Sequence, residues 1–260
     1  HLSRVRIAYG DTSPQPCLPD ESLAQLREDF SEYFELAYTF FGQNLGSARG
    51  HNTLSEQANT DYLLILNPDI VVSPRLFENM LRPFHHATCG MVEAKQLPIE
   101  HPKDYDPVTG ETGWATTACA LTPLTLFNQI EKFDADNFFL YCDDVDYSWR
   151  VREAGYKVIF AANAVVFHDK RVAHDGAWQP SAAERHFSAV AALMIAHKWS
   201  RPDLVAKISH NYRRLGPDEQ AAVKNYEDKK LAGTLPTPRD ARHKVAEFID
   251  HLYTKHRYAL

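Results

Sequence analysis

The apolar run at residues 61–72 constrains the fold of this chain more than any other stretch. It reads Asp-Tyr-Leu-Leu-Ile-Leu-Asn-Pro-Asp-Ile-Val-Val, and short, nearly continuous apolar runs are typical of strands that are covered on both faces. Pro68 has no N–H to donate to a neighbouring strand, so we expect the strand to stop at Asn67. The run therefore predicts a central strand of a sheet, followed by a turn that contains Asp69.

Strand and helix patterns alternate around this run. Residues 4–9 alternate as a strand does, residues 20–30 carry an amphipathic helical pattern, and residues 34–41 indicate a second strand. This order of elements predicts an α/β fold. Further strands are predicted at 90–94, 114–121, 156–160 and 164–167, and further helices at 73–84, 123–130, 184–199 and 245–252.

The composition argues against several classes of protein. With 260 residues, 44% of them hydrophobic, the chain can bury about three quarters of its unfolded surface in one large domain, or in one domain with an appendage. We find no run of about 18 apolar residues and no charged-then-apolar leader, so we predict neither a spanning helix nor a signal peptide. The four cysteines lie far apart without CxxC spacing, which disfavours a zinc knuckle or disulfide framework and favours a reduced, cytoplasmic compartment.

Charge is unevenly distributed along the chain. The net charge is −6, but residues 201–260 hold 12 Lys and Arg against 8 Asp and Glu, which leaves 16 against 26 in residues 1–200. Nucleic acid is therefore not an expected partner of the acidic main part. The mildly basic last part has two interpretations, a solvated helical face or a peripheral contact with an anionic membrane surface.

Three carboxylates stand within four positions, at Asp143, Asp144 and Asp146, between an aromatic run and a helical pattern that ends at Gly155. A helix N-terminus favours negative charge, so an ordinary acidic cap is one interpretation. Three like charges this close destabilise the fold unless a cation or a basic ligand compensates them. We therefore interpret the start of this predicted helix as the centre of an active site.

Two further polar residues follow predicted strands. Asp69 comes just after a buried strand and could hold Mg²⁺ or Mn²⁺, which favour oxygen ligands, although a turn aspartate beside proline is an equally good interpretation. His168 follows the strand at 164–167. A lone histidine there is more often structural, but it would return to the same sheet edge, and neutral imidazole binds transition metals such as Mn²⁺.

Three loops attract attention for their composition. Residues 10–14 form a turn at the carboxyl end of the first strand, where ligands gather in α/β sheets. Residues 42–52 have glycines four apart, which suits either a close approach to a nucleotide or a plain turn into a helix. Residues 96–113 are polar and rich in proline, and loops of this length are often functional or mobile.

In this order, the pieces resemble the inverting family 2 glycosyltransferases of the GT-A fold, especially rhamnosyltransferase-like and galactofuranosyltransferase-like members. The likeness spans about residues 4–200. It rests on the turn at 10–14, the Asn-x-Gly…Asn element at 44–52, the Leu-Asn-Pro-Asp motif at 66–69, and the segment at 133–168. That last segment resembles the family signature Phe-Asp…Phe-Phe-Leu-Tyr…Glu-Asp-x-Asp…Arg…Gly-Tyr…His, with Asp143 in place of the commoner Glu.

The resemblance implies a mixed, mostly parallel sheet flanked by helices at residues 1–200 and a helical extension at residues 201–260. The family's first strand and helix would precede residue 4 and are expected to be missing from this stretch. The implied activity is inverting transfer of a sugar from a UDP-, dTDP- or GDP-linked donor to a glycan or lipid-linked acceptor. The implied setting is cell-surface polysaccharide assembly, in the cytoplasm or at the inner face of the membrane.

The resemblance also implies roles for single residues. Asp144 would be the general base, with Asp143 beside it, and Asp69 and His168 would hold Mn²⁺ or Mg²⁺. From its length, composition and position before the strand at 114–121, we predict that the loop at 96–113 lies on the acceptor side and orders at least partly when substrates bind; a plain surface loop is the alternative interpretation. Donor contacts are implied at Asp11, Ser13, Asn44, Gly46, Asn52 and Asn67, and acceptor-side positions at Trp114, Thr117, Asp146 and Arg150.

Two other functions remain open from the sequence. A non-catalytic module of this fold would bind a partner or a glycan and would not need the acidic centre. A metal-dependent phosphoesterase built on Asp69, Asp144 and His168 would use water as its nucleophile. The product formed from a nucleotide-sugar, a glycoside or a free sugar, separates these functions.

Overall fold

Residues 5–55 form a small unit built around two parallel strands. The computed structural model describes residues 5–168, 180–250 and 252–254. The unit contains β1 (Arg6–Asp11), α1 (Asp20–Asp29), β2 (Glu35–Phe40) and α2 (Gly46–Ser55). β1 and β2 pair in parallel as a two-stranded sheet, and the order strand, helix, strand is as the sequence predicts.

The rest of the described chain is built on a six-stranded sheet flanked by helices. Its elements in chain order are β3 (Tyr62–Leu66), β4 (Ile70–Val72), α3 (Leu76–Leu81), a 3₁₀ turn (Arg82–His85), β5 (Cys89–Leu97), β6 (Glu111–Thr112), β7 (Cys119–Pro123), α4 (Leu124–Gln129), α5 (Asp143–Glu153), β8 (Lys157–His168), α6 (Ala182–Lys198), α7 (Pro202–Tyr212) and α8 (Pro217–Ala232).

The strand order is β3-β7-β5-β8-β4, with β6 added to β8. The predicted mixed sheet with flanking helices is confirmed, but its strands are not mostly parallel. Within the described six-stranded sheet, β5 and β8 make the one parallel pair and the other pairs are antiparallel. The reason is that the chain after β5 returns to the same sheet edge before β7 begins, and an antiparallel neighbour needs no crossover helix.

The run at 61–72 proves to be two strands at the outside of this sheet instead of one central strand. β3 and β4 are separated in the strand order by three other strands, about 19 Å in a flat sheet. Four residue steps from the end of β3 to the start of β4 span at most about 14 Å. The sheet must therefore bend, and a register shift supplies the bend: the partner of Ala94 is Ala161, whereas the partner of Lys95 is Val165.

Helices α6, α7 and α8 pack on α5. Val145 and Trp149 of α5 share one buried cluster with residues of α6, α7 and α8, so the core continues across the predicted boundary at residue 200.

The helix predicted at 245–252 is wrong, since the described residues there have no helix. The Asp240 carboxylate instead accepts the backbone N–H groups of residues 244, 245 and 246 and turns the chain, and the Phe248 ring packs edge-on against Trp149. Among the described helices, none has the length and apolar character needed to span a membrane.

Candidate active site

The start of α5 is held in an unusual backbone conformation. Tyr141 and Cys142 have φ angles of 73° and 59°, a left-handed region in which non-glycine residues are destabilised by about 1–3 kcal/mol each. Two such residues in succession turn the chain so that Asp143 and Asp144 fall in the first turn of α5. The positive end of the helix favours carboxylates there. The acidic helix start predicted from the sequence is thus present.

The two carboxylates have different surroundings. Asp143 is 3% exposed, and burial together with the charge of Asp144 raises its pKa to about 7, although the Ser47 side chain donates a hydrogen bond to it. Its Oδ2 atom is buried and has no partner in the part of the chain that the structure describes. Asp144 is half-buried, and its Oδ1 accepts the backbone N–H of Val145 at 2.8 Å. Asp144 is therefore the more accessible acid of the pair.

The start of α2 lies against this acidic segment. Gly46 has φ 72°, and a Cβ atom at this position would lie 2.2 Å from the Phe139 carbonyl oxygen, so a side chain does not fit. The Ser47 N–H donates to the same oxygen at 2.9 Å, and the Asn44 side chain accepts the Gly46 N–H at 3.0 Å. Asn44 and Gly46 thus belong to the site's framework. Ser47 was not predicted as a site residue, although a small hydroxyl residue directly after a turn glycine is a sequence signal that could have indicated it.

Asn52, which the resemblance places among the donor contacts, has a structural role instead. Its amide donates to the Phe133 carbonyl at 2.8 Å and accepts the Phe133 N–H at 3.1 Å. Both polar ends of the side chain are thereby used to join α2 to the segment before α5. We therefore correct the donor role predicted for Asn52.

Asp11 closes the turn after β1. Its carboxylate accepts the N–H groups of Ser13 at 2.9 Å and Cys17 at 2.8 Å, and also the Tyr38 hydroxyl. The Tyr38 hydrogen bond, with the backbone donors, holds the Asp11 pKa well below its usual range, and burial with the Asp11 contact raises the pKa of Tyr38 to about 12. The rings of Tyr9 and Tyr38 stack with centroids 5.9 Å apart. The turn after β1 is therefore held by three hydrogen bonds to Asp11 and lies beside two stacked aromatic rings.

Asp69 and His168 meet at one edge of the bent sheet. β4 and β8 pair with Ile70 opposite His168, and the Asp69 Oδ1 lies 3.3 Å from His168 Nε2. The predicted convergence of these two side chains is confirmed. On the other ring nitrogen, His168 Nδ1 lies 2.7 Å from Gln96 Oε1, a partner that the sequence did not reveal.

These two side chains fit a divalent cation as an incomplete ligand pair. Carboxylate oxygen and imidazole nitrogen suit Mn²⁺. Neighbouring ligands of an octahedral ion with bonds of about 2.1 Å lie about 3.0 Å apart, close to the observed 3.3 Å. Over residues 5–168, 180–250 and 252–254, no cluster of three or more His, Cys, Asp or Glu side chains is arranged to hold a metal. A cation bound here would therefore need further ligands from a substrate or from water.

A short buried segment, residues 115–118, connects the turn before Asp69 to the helix that carries Asp143 and Asp144. The Asn67 N–H donates to the Ala118 carbonyl at 2.9 Å, which holds the turn after β3 against this segment. Three residues earlier, the Ala115 N–H donates to the Ser148 hydroxyl at 3.0 Å, and that hydroxyl donates to the Asp144 carbonyl at 2.7 Å. Residues 115–118 therefore link the turn with Asn67 to the first two turns of α5.

Asp146 and Arg150 do not face this site. Asp146 is fully buried and bonds Arg150 Nε at 2.8 Å, Trp199 Nε1 at 3.1 Å and Lys198 Nζ at 2.8 Å. Two helical positions rotate a side chain by about 200°, so Asp146 lies on the face of α5 opposite Asp144. The acceptor role predicted for Asp146 and Arg150 is therefore wrong. Asp146 joins α5 to the end of α6, and Arg150 joins it to the Ile130 carbonyl after α4. These partners are distant in sequence and could not be predicted from the local pattern.

The remaining acceptor-side candidates are buried, and Trp114 contacts the loop at 96–113. Trp114 is 6% exposed and Thr117 8%. Lys103 of the loop forms an ion pair with Glu93, both side chains being almost fully buried, and its Nζ lies 4.0 Å from the centre of the Trp114 ring. Burial raises the pKa of Glu93 to about 7, although the Lys103 charge opposes the shift. Trp114 thus supports the loop from beneath.

The outer side of this loop forms a pocket of about 530 Å³. The Tyr105 and Phe160 rings meet in its wall, with centroids 4.7 Å apart, and Tyr105 is 45% exposed. The first turn of the loop is closed by Glu100, which accepts the N–H groups of Gln96 and His101 at 2.7 Å each. The loop is therefore ordered by internal bonds while it presents an aromatic surface.

Comparison with known proteins gives matches to sugar transferases. Residues 17–148 match the family model for glycosyl transferase family 2. N-acetylglucosaminyl-diphospho-decaprenol L-rhamnosyltransferases from two Mycobacterium tuberculosis strains, CDC 1551 / Oshkosh and ATCC 25618 / H37Rv, are each 29% identical over 147 residues, covering 54% of this chain and 47% of each relative. The chain thus spans about half the length of the curated relatives it matches.

Two solved structures share the fold at low sequence identity. GalNAc-T7, crystallised with UDP, GalNAc and Mn²⁺, superposes with a TM-score of 0.61 at 11% identity, over 93% of this chain and 50% of that one. The mannosyltransferase PcManGT from Pyrobaculum calidifontis, in complex with GDP-Man and Mn²⁺, gives a TM-score of 0.53 at 14% identity, over 92% and 77%. At these identities the likeness establishes the fold alone.

Proposed function

The chain belongs to glycosyl transferase family 2 and has the GT-A fold, and from that premise we propose that it transfers a sugar, with inversion, from a nucleotide-sugar to an acceptor hydroxyl. The observation that carries the proposal is the acidic pair at the start of α5. Asp144 is half-buried and Asp143 is buried, and Asp143 accepts a hydrogen bond from Ser47 at the start of α2.

Asp144 is the proposed general base. Its half-buried carboxylate takes the proton of the acceptor hydroxyl, the acceptor oxygen attacks the anomeric carbon, and the bond from that carbon to the nucleoside diphosphate breaks, its electron pair leaving with the phosphate oxygen. Attack on the face opposite the leaving group inverts the anomeric centre. Asp143, with a pKa of about 7, carries a proton in part of the molecules near neutral pH, which lowers its repulsion of Asp144.

Asp69 and His168 would hold Mn²⁺ or Mg²⁺ beside the donor. The bound cation would supply positive charge that offsets the charge of the departing diphosphate. The 3.3 Å separation of the two ligand atoms supports this role. Asp69→Ala and His168→Ala should each weaken Mn²⁺-dependent nucleotide binding, measured by calorimetry, and unchanged binding in both variants would contradict the assignment.

The donor is proposed to lie along the start of α2 and the turn after β1. Asn44 and Gly46 form the turn into α2, and we propose Asn67 as a further donor contact. The Asp11 turn, including Ser13, would shape the nucleoside site through its backbone. UDP-, dTDP- and GDP-sugars all remain candidates. The M. tuberculosis relatives are named as rhamnosyltransferases that use a diphospho-decaprenol-linked N-acetylglucosamine. A rhamnosyl donor and a lipid-linked acceptor are therefore the first pair to test.

The acceptor is proposed to approach along the loop at 96–113, over Trp114 and Thr117. A role in cell-surface polysaccharide assembly, at the inner face of the membrane, would follow from a lipid-linked acceptor. The mildly basic stretch at residues 201–260 could then contact the anionic lipid surface.

The deciding experiment is product analysis with UDP-, dTDP- and GDP-sugars, Mn²⁺ and a polyprenyl-diphosphate-linked N-acetylglucosamine. Our proposal requires a new glycoside whose anomeric configuration, read by NMR, is opposite to that of the donor. Release of free sugar would indicate a hydrolase. Donor or acceptor binding without any product, under conditions where a family enzyme turns over, would favour the non-catalytic alternative.

A further inference from the structure

Gln96 is a buried polar residue whose side chain ends beside His168, one of the two proposed metal ligands. No step of the proposed reaction uses it. It is 0% exposed, and its Oε1 lies 2.7 Å from His168 Nδ1. Its backbone is fixed twice, by pairing with Val166 in the β5–β8 ladder and by donation of its N–H to Glu100 at 2.7 Å. Val166 and His168 point to the same face of β8, so Gln96 reaches His168 diagonally.

The Gln96 amide determines how the imidazole can bind. With the Gln96 amide oriented so that Oε1 faces the ring, the oxygen can only accept a hydrogen bond, and Nδ1 of His168 carries the proton. In the neutral ring, Nε2 then presents a lone pair towards Asp69, whose Oδ1 lies 3.3 Å away. Two acceptors at this distance repel each other unless positive charge is shared between them. The arrangement is therefore suited to a cation held by Nε2 and Oδ1 together.

The amide nitrogen of Gln96 indicates that this residue serves the function of the protein and not its stability. Gln96 Nε2 is buried, and no hydrogen-bond partner for it is found among the described residues. A buried amide N–H group without a partner destabilises the fold, so an apolar side chain of similar size would serve stability better. A neutral amide also fixes the ring without adding charge beside the metal ligands, which a carboxylate would do.

We propose that Gln96 is a positioning residue that holds His168 in the Nδ1–H form, so that Nε2 and Asp69 are presented as a preformed pair to a divalent cation. This inference rests on the metal role given to Asp69 and His168 in the proposed function. Gln96 lies on β5, the strand that leads into the loop at 96–113. Cation binding would therefore depend on this strand as well as on Asp69 and His168.

The test compares Gln96→Met, which removes the acceptor at similar size, with Gln96→Glu, which retains it. Thr122→Val is the matched control, because it removes another buried hydrogen-bonding group, bonded to Gly90 and Tyr147, outside the site. Long-range ¹H–¹⁵N spectra of the metal-free protein report the His168 tautomer, assigned by the signals lost in His168→Gln. Mn²⁺ alone is titrated and followed by electron paramagnetic resonance, and circular dichroism verifies folding.

We expect wild-type His168 to carry its proton on Nδ1, and Gln96→Met to lose this preference and to bind Mn²⁺ about 10–100-fold more weakly. Gln96→Glu should restore both properties, and Thr122→Val should leave both unchanged. The inference is overturned by a proton on Nε2 in the wild type, by normal Mn²⁺ binding in folded Gln96→Met, or by no Mn²⁺ binding in the wild type. A protein that passes these tests yet forms no glycoside would contradict the proposed function alone.

Discussion

Lys198→Met should reveal the buried ion network that joins α5 to α6. The Lys198 Nζ lies 2.8 Å from Asp146 and 2.7 Å from Asp134, and its side chain is 7% exposed. Removing one member of a buried ion pair typically lowers the free energy of unfolding by about 3–5 kcal/mol, because the partner charge stays buried. The substitution therefore tests whether Asp146 is structural.

The structure sets the expected magnitude at the lower end of that range. Asp146 keeps Arg150 Nε at 2.8 Å and Trp199 Nε1 at 3.1 Å, and Asp134 keeps the Asn137 amide. The methionine side chain also replaces most of the buried lysine stem. We expect a loss of about 3 kcal/mol, which corresponds to a fall in Tm of about 6–12 °C for a protein of this size.

The assay is guanidinium chloride unfolding followed by circular dichroism and tryptophan fluorescence, whose transitions should coincide if unfolding is two-state. The control is Lys224→Met, which removes an exposed pair with Asp228 on α8 and should change stability by no more than about 0.5 kcal/mol. A loss below about 1 kcal/mol in Lys198→Met would refute the reasoning. So would a changed acceptor KM with normal stability, because it would return Asp146 to the acceptor side.

Three further substitutions test the site. Asp144→Asn should fold and bind donor normally but lower transfer by at least about 10²-fold, and near-normal turnover would remove Asp144 as the base. Asp143→Asn should stabilise the protein at pH 8: the raised pKa of about 7 means that folding favours the protonated acid, so the wild type loses stability between about pH 4 and pH 7, and equal pH dependence in both proteins by thermal unfolding would contradict this. Tyr105→Ala should change the acceptor KM while donor affinity is preserved, with Val108→Ala, 91% exposed, as the control; unchanged acceptor kinetics would assign the loop to structure.

Local pattern was sufficient to predict most elements of the fold. The alternation at 4–9, the helical period at 20–30 and the acidic start of α5 each depend on neighbours within a few residues. Each element is present, although β1 lies two residues later than predicted, at Arg6–Asp11. The breaks at Pro68 and in the loop after β5 are equally local. Where the prediction failed, a distant partner or a local turn overrode the pattern: Asp240 captures three backbone N–H groups and prevents the helix expected at 245–252.

Strand lengths were harder to predict because polar residues can be buried in pairs. The strand predicted at 90–94 extends to Leu97, since Lys95 and Gln96 keep their ladder with β8 despite their polarity. Conversely, the strand predicted from residue 114 begins at Cys119. The Ala115 N–H is bonded to Ser148 of α5 and not to another strand. A strand pattern alone could not show either partner.

The site residues differ in whether their spatial partners could be predicted from the sequence. Asp69 and His168 could be predicted to meet, because each follows a strand and strand ends collect at one edge of a sheet. Asp146 could not be distinguished from Asp144 by composition, since both are aspartates in one helical turn. The difference comes from the helical rotation of about 200° between them, which gives Asp146 to Lys198 and leaves Asp144 accessible. In this acidic cluster Asp144 is therefore the candidate base and Asp146 is a structural anchor, because Asp146 lies on the face of α5 against which α6 packs.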